Sequence, residues 1–213
     1  MPKNITDSPL YHRDVEAERS FLLGISSLNY TLLQRDWLSG SHGDLDLVIP
    51  SEEWPRLVDA VIAYSEANDI PIVKVYEIEH AVVCVTFLLE NSYIHLDICI
   101  VPCRRRIFGV RLSSCLQSRE LVDGIYVADK KHADIYKKVK RLYKKFPLAM
   151  TLRKIRNSAV IARRLFKTTL FVRGAMVYIP YVHDGSLLRS KAVVDTARRY
   201  LLEELLPKYS NHE

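Results

Sequence analysis

The chain has 213 residues, of which 48% are apolar and 26% charged, and its formal net charge is +6. That composition supports a packed core and excludes an intrinsically disordered chain. No run of about 18 apolar residues occurs, which argues against a membrane-spanning helix. The polar, mixed-charge stretch 1–16 resembles neither a secretory signal nor an import peptide, which predicts a cytoplasmic protein.

The first element in chain order is a helix, predicted over Leu10–Leu28 from the spacing of Val15, Phe21, Leu22, Ile25 and Leu28. Tyr30–Trp37 leads into a loop, Ser39-Gly40-Ser41-His42-Gly43. Leu45, Leu47 and Ile49 then alternate with Asp44, Asp46 and Val48, a strand pattern that puts both aspartates on one face. Ser51 reads as an N-cap, and Glu52 and Glu53 suit the positive end of a helix running to about Asn68. That helix is expected to bury Leu57, Val58, Val61 and Ile62. Ile72–Ile78 and Ala81–Leu89 read as strands. Glu90-Asn91-Ser92 is a turn, and Tyr93–Val101 is the returning strand of a hairpin. Ile94, Leu96, Ile98 and Ile100 share one face of that strand; His95, Asp97 and Cys99 share the other.

After residue 128 the composition changes. Residues 130–173 contain fifteen Lys or Arg and one acid, Asp134, so this segment carries +14 and the remainder −8. Asp129–Phe146 reads as a basic helix with an apolar stripe of Ile135, Val139, Leu142 and Phe146. Leu152–Phe171 reads as a second basic helix, Ala175–Val182 as β-like, His183–Ser186 as a turn, and Leu187–Leu206 as a closing helix. The predicted organisation is a core over 1–128 and a basic helical region over 129–213. Lys137, Lys138, Lys140, Arg141, Lys144 and Lys145 form either a solvated helix face or a surface for a polyanion such as nucleic acid. Cys84, Cys99, Cys103 and Cys115 read as small buried side chains in a reducing compartment, and their spacing gives no zinc motif.

The chemistry-bearing residues lie in the first half. Asp44 and Asp46, two apart on a strand, point the same way and repel unless a proton or a cation intervenes. Mg²⁺ is held by such carboxylates together with phosphates. Asp97 sits in an otherwise apolar strand, where an unpaired charge is expensive, so it is the candidate third ligand. Gly40 and Gly43 permit close backbone approach, and the Gly40 and Ser41 amides with the Ser41 hydroxyl are candidates for holding a triphosphate. His95 shares the Asp97 face and is either a substrate contact or a hydrogen-bonded side chain. Arg35 is either a phosphate contact or a solvated side chain.

Gly40-Ser41, Asp44-x-Asp46 and a later hydrophobic strand carrying Asp97 together resemble the DNA polymerase beta-like nucleotidyltransferase superfamily. The stretch Gly43–Pro50 followed by a helix looks like its small bacterial members. The resemblance covers residues 30 to 101. It implies an α/β (α+β) fold with a small mixed sheet of the nucleotidyltransferase type and flanking helices, here with the basic C-terminal extension. It further implies Asp44, Asp46 and Asp97 as catalytic ligands of Mg²⁺ or Mn²⁺, Gly40 and Ser41 as the nucleotide-binding signature, and ATP or another nucleoside triphosphate as donor. Only His42 and Gly43 separate the Gly-Ser from the first aspartate, a shorter spacing than the superfamily usually has. Residues 175–186 and the following helix look like the first strand and loop of a thymidylate-kinase-like P-loop domain, without the lysine such a loop needs. The expected activity is transfer of a nucleoside monophosphate to a hydroxyl or phosphate acceptor with pyrophosphate release. The alternative is a catalytically inactive module of the same fold that binds a partner or nucleic acid through its basic helices.

Overall fold

The computed structural model describes residues 12–39, 44–145 and 191–210. The Gly40–Gly43 loop, the second basic helix, the β-like stretch at 175–182 and the turn at 183–186 lie outside the described residues.

The framework is one mixed sheet with helices on both faces. Its long strands are β3 (Leu45–Pro50), β4 (Ile72–Glu79), β5 (Val82–Leu88) and β6 (Ser92–Val101), joined at the margins by β1 (His12–Arg13), β2 (Thr31–Leu32), β9 (Glu120–Val122) and β10 (Ile125–Val127). The strand order is β4-β5-β6-β3-β2-β10-β9, with β1 parallel to the start of β6. β4, β5 and β6 form an antiparallel meander, whereas β3 runs parallel to β6. That parallel pair is possible because α2 (Trp54–Ala67) and the meander supply the long return connection.

Alternation along the strands sorts the side chains. Leu45, Leu47 and Ile49 of β3, Val83, Val85 and Phe87 of β5, and Ile94, Leu96, Ile98 and Ile100 of β6 join one core with residues of α1 (Val15–Gly24), α2 and the C-terminal helices. On the opposite face Val48, Val82 and Cys99 pack with Leu112 and Cys115 of α3 (Leu112–Gln117) and with Ala133 and Tyr136 of α4 (Lys130–Lys145). A small hairpin, β7 (Arg106–Ile107) and β8 (Val110–Arg111), adds Val110 to this second cluster. Its two-residue turn holds Phe108 and Gly109 at positive φ, as does the Asp123-Gly124 turn between β9 and β10. Such turns match the twist of the strands they join, and glycine adopts them without strain.

Several expected elements differ in extent. The first helix is shorter than Leu10–Leu28, because Asp14 caps it by accepting a hydrogen bond from the Ala17 amide at 2.9 Å, while His12 and Arg13 pair with β6. Ser51 does not act as an N-cap. It opens a 3₁₀ turn, Ser51–Glu53, which runs directly into α2, with Pro55 in the first helical turn. Leu57, Val58 and Val61 are buried as expected, and Ile62 is half-buried against the same core. In α4 the expected apolar stripe is not the buried side. Ile135 and Leu142 are exposed, and Ala133 and Tyr136 face the sheet with Lys140 one turn further on. Ile135 and Val139 instead lie against Gly109 of the small hairpin.

The closing helix reaches further than Leu206. It comprises α5 (Lys191–Arg199), a widened π turn (Tyr200–Leu205) and α6 (Leu206–Ser210). The widening stands just before Pro207, whose missing N–H removes one bond from the helical ladder. Trp54 Nε1 donates to the Leu205 carbonyl at 3.1 Å, and the Tyr209 hydroxyl accepts from the Ala81 amide at 2.9 Å while donating to Glu77. Thus α4 and the 191–210 helices cover opposite faces of the one sheet. Among the described residues no helix is long and apolar enough to cross a membrane.

Candidate metal centre

The site follows from strand register. Asp46 of β3 lies directly beside Asp97 of β6, and Cys84 of β5 lies on the other side of Asp97. One transverse row of the sheet therefore carries Asp46, Asp97 and Cys84, all on the face covered by α4. Asp44 stands one residue before β3. A carboxylate oxygen from each of Asp44, Asp46 and Asp97 falls within 4.8 Å of the others. Like charges at that distance repel by about 3–4 kcal/mol per pair at an effective dielectric of about 20.

Two side chains, neither foreseen from the sequence, hold Asp46. Gln34 donates through Nε2 to Asp46 Oδ2 and, at 3.0 Å, to the Asp44 carbonyl, and its Oε1 accepts from the Asp46 amide at 3.0 Å. Lys140 of α4 places its ammonium 2.7 Å from Asp46 Oδ2 and 3.4 Å from Asp44 Oδ2. Of the six basic residues predicted to line the surface of this helix, Lys140 thus points into the site. Lys137 pairs with Asp36. Arg35 pairs with Glu120 at 2.5 Å, both substantially exposed.

The electrostatics follow from burial and neighbours. Burial raises the Asp46 pKa, Asp44 and Asp97 raise it further, and Lys140 offsets only part of this. The Asp97 carboxyl is also buried, yet the hydrogen bond from His95 and that from the Cys84 thiol hold its pKa below the usual range. Lys140 loses stabilisation by burial, but the two facing carboxylates outweigh it and keep the ammonium charged. With all three carboxyls ionised, they face one ammonium and leave two negative charges, an excess that a divalent cation would offset. The Tyr136 hydroxyl is buried beside Asp46, and its burial and then the neighbouring carboxylate push its pKa up.

The donor set suits a hard cation, because carboxylate oxygens are the ligands that Mg²⁺ and Mn²⁺ take. Of the residues singled out from the sequence, Asp44, Asp46 and Asp97 come together, and His95 stands beside Asp97 with Nε2 3.3 Å from Oδ1. Gly40 and Ser41 lie outside the described residues. Comparison with protein-family models, with curated proteins and with solved structures gives no match.

Proposed function

We propose that the chain is a metal-dependent nucleotidyltransferase in which Asp44, Asp46 and Asp97 hold Mg²⁺ or Mn²⁺ and a nucleoside triphosphate is the donor. The observation that carries this reading is the pairing of Asp46 with Asp97 across parallel strands, with Asp44 completing a convergent set of carboxylates. A divalent cation held there would polarise the α-phosphoryl group and neutralise charge on the attacking and leaving oxygens. The resemblance of the Gly-Ser, Asp-x-Asp and Asp97 pattern to the polymerase beta-like superfamily supports the same assignment, with its mixed sheet as the nucleotidyltransferase type.

The chain's own residues would position and neutralise more than they react. An acceptor oxygen attacks the α-phosphorus, the bond to the β-phosphate oxygen breaks, and pyrophosphate leaves. Asp97, whose pKa is held below the usual range, would take the acceptor's proton. Gln34 fixes the Asp46 carboxylate through its two-way bonding with that residue. Gly40 and Ser41 are assigned the triphosphate by resemblance.

One observation favours a second reading, an inactive module of the same fold. The Lys140 ammonium lies against the two carboxylates that would receive the cation. A permanent internal cation there would replace the metal. Calorimetric titration of Mg²⁺ with a non-hydrolysable triphosphate tests both. Cation-dependent binding in wild type, lost in folded Asp44→Asn and Asp46→Asn, supports the enzyme. Binding absent in wild type and gained in Lys140→Ala supports the inactive module. Binding absent in both overturns the cation site.

A further inference from the structure

The same sheet face carries a second cluster of different chemistry. Cys84 Sγ lies 2.8 Å from Asp97 Oδ1, and His95 Nε2 lies 3.3 Å from the same oxygen. A donor atom from each of Cys84, His95 and Asp97 falls within 4.8 Å of the others. Register explains the convergence: Cys84 faces Asp97 and Thr86 faces His95 on the adjoining strands β5 and β6. All four side chains therefore project from the same face. The three donors come from two rigid central strands of the sheet, the kind of support that holds ligands in place.

The imidazole is also oriented. Its Nδ1 lies 2.7 Å from the Thr86 hydroxyl, a buried pair. Metal-bound histidines share this arrangement, in which one ring nitrogen is fixed by an outer partner and the other is presented to the ion. Without an ion Nε2 donates to Asp97; because a hydroxyl can accept as well as donate, Thr86 can hold the proton on Nδ1 once a cation displaces that bond and takes the Nε2 lone pair.

We propose that Cys84, His95 and Asp97 form a binding site for a borderline-soft divalent cation of the zinc class, next to the acidic site and sharing Asp97 with it. A thiolate, an imidazole and one carboxylate select zinc-class ions, whereas the three-carboxylate set selects magnesium-class ions. Three protein donors leave one position open, as in zinc sites that meet a substrate or water rather than purely structural ones. Binding replaces the thiol proton: the Cys84 S–H bond breaks, the sulfur–metal bond forms, and one proton passes to solvent. The shared Asp97 couples the two sites, yet the proposal does not depend on nucleotide chemistry.

Co²⁺ reports on this site directly, because thiolate ligation produces a sulfur-to-cobalt charge-transfer band in the near ultraviolet. Full-length protein titrated with Co²⁺ under reducing conditions is expected to develop that band at one equivalent. Zn²⁺ is expected to bleach it, and millimolar Mg²⁺ to leave it intact. Cys84→Ser should abolish the band, and folded His95→Gln should weaken Co²⁺ binding by about tenfold or more. Thr86→Val should weaken it about 10–100-fold through the ring's orientation. Cys99→Ser, Cys103→Ser and Asp44→Asn should keep the band. No band in folded wild type, or a band that survives Cys84→Ser, overturns the proposal. Loss of triphosphate binding in Asp44→Asn with the cobalt band retained would show the two sites failing separately.

Discussion

Replacing Lys140 by methionine removes the one ammonium that faces the carboxylates while keeping most of the side-chain volume. In the native arrangement that ammonium stands 2.7 Å from Asp46 and 3.4 Å from Asp44, with 16% of the lysine side chain exposed. Removing one partner of such a buried pair costs about 3–5 kcal/mol when the other stays charged. Asp46 has an escape, because its folded pKa already lies above the ordinary carboxylate value. Without the lysine it rises further, and the folded state then holds a proton that the unfolded chain releases. Stability of the variant must therefore fall as pH rises, by up to about 1.4 kcal/mol per unit relative to wild type above the native Asp46 pKa. With the native Asp46 pKa at about 7, urea unfolding should show a loss about 1.4 kcal/mol larger at pH 8 than at pH 6. Mn²⁺ at a hundred times its dissociation constant should restore about 2.7 kcal/mol at pH 8. Equal stability of variant and wild type at both pH values, with unchanged Mn²⁺ affinity, would refute Lys140 as the counter-charge.

Two further predictions address the supports of the site. Gln34→Leu removes the hydrogen bonds that fix Asp46 and leaves its amide and the Asp44 carbonyl without those partners; urea unfolding should show about 2–4 kcal/mol of destabilisation. Asp129 begins α4, accepting from the His132 amide at 3.1 Å and from Ser118. Burial pushes its pKa up, but the bonds from Ser118 and His132 outweigh this and hold it down at about 2. Because the folded value lies below the unfolded one, Asp129's contribution is complete above about pH 4 and is lost as pH falls toward 2. Asp129→Ala should cost about 1 kcal/mol at pH 7, the usual loss of a helix cap, and the difference from wild type should vanish near pH 2.

The strands were legible because the sheet centre is built from alternating runs, and alternation carries the face of each side chain as well as the element. Asp44, Asp46 and Asp97 were readable for that reason: each interrupts an apolar pattern at a position where a charge needs compensation. What the sequence did not carry was the compensation. Gln34 sits in a short stretch without a period, and Lys140 is one lysine among many. The stripe Ile135, Val139 and Leu142 suggested the wrong buried side of α4, since helical periodicity weighs apolar area and ignores a pair of unneutralised carboxylates on the facing sheet. Lys140 and Tyr136 lie one helical turn apart, and the acidic pair draws that side inward. Cys84 was hidden for a different reason. Zinc motifs are recognised by close spacing along the chain, whereas Cys84 and His95 meet across a hairpin, eleven positions apart in the sequence.

The rotation of α4 bears on where the functional unit ends. The change in composition after residue 128 reads as a boundary, and by charge it is one. Asp44, Asp46 and Asp97 lie before it, and Lys140 and Tyr136 lie after it. A fragment ending near residue 128 would expose Val48, Val82 and Cys99, which pack with Ala133 and Tyr136 in the intact chain. It would also lose the 191–210 helices from the opposite face, where Leu201, Leu205 and Tyr209 complete the larger core. The carboxylates would then have neither their ammonium nor the cover that excludes water from them, and screening would weaken any charge they present. Measurements of cation or nucleotide binding therefore belong on the full chain, in which the basic region supplies a wall of the site.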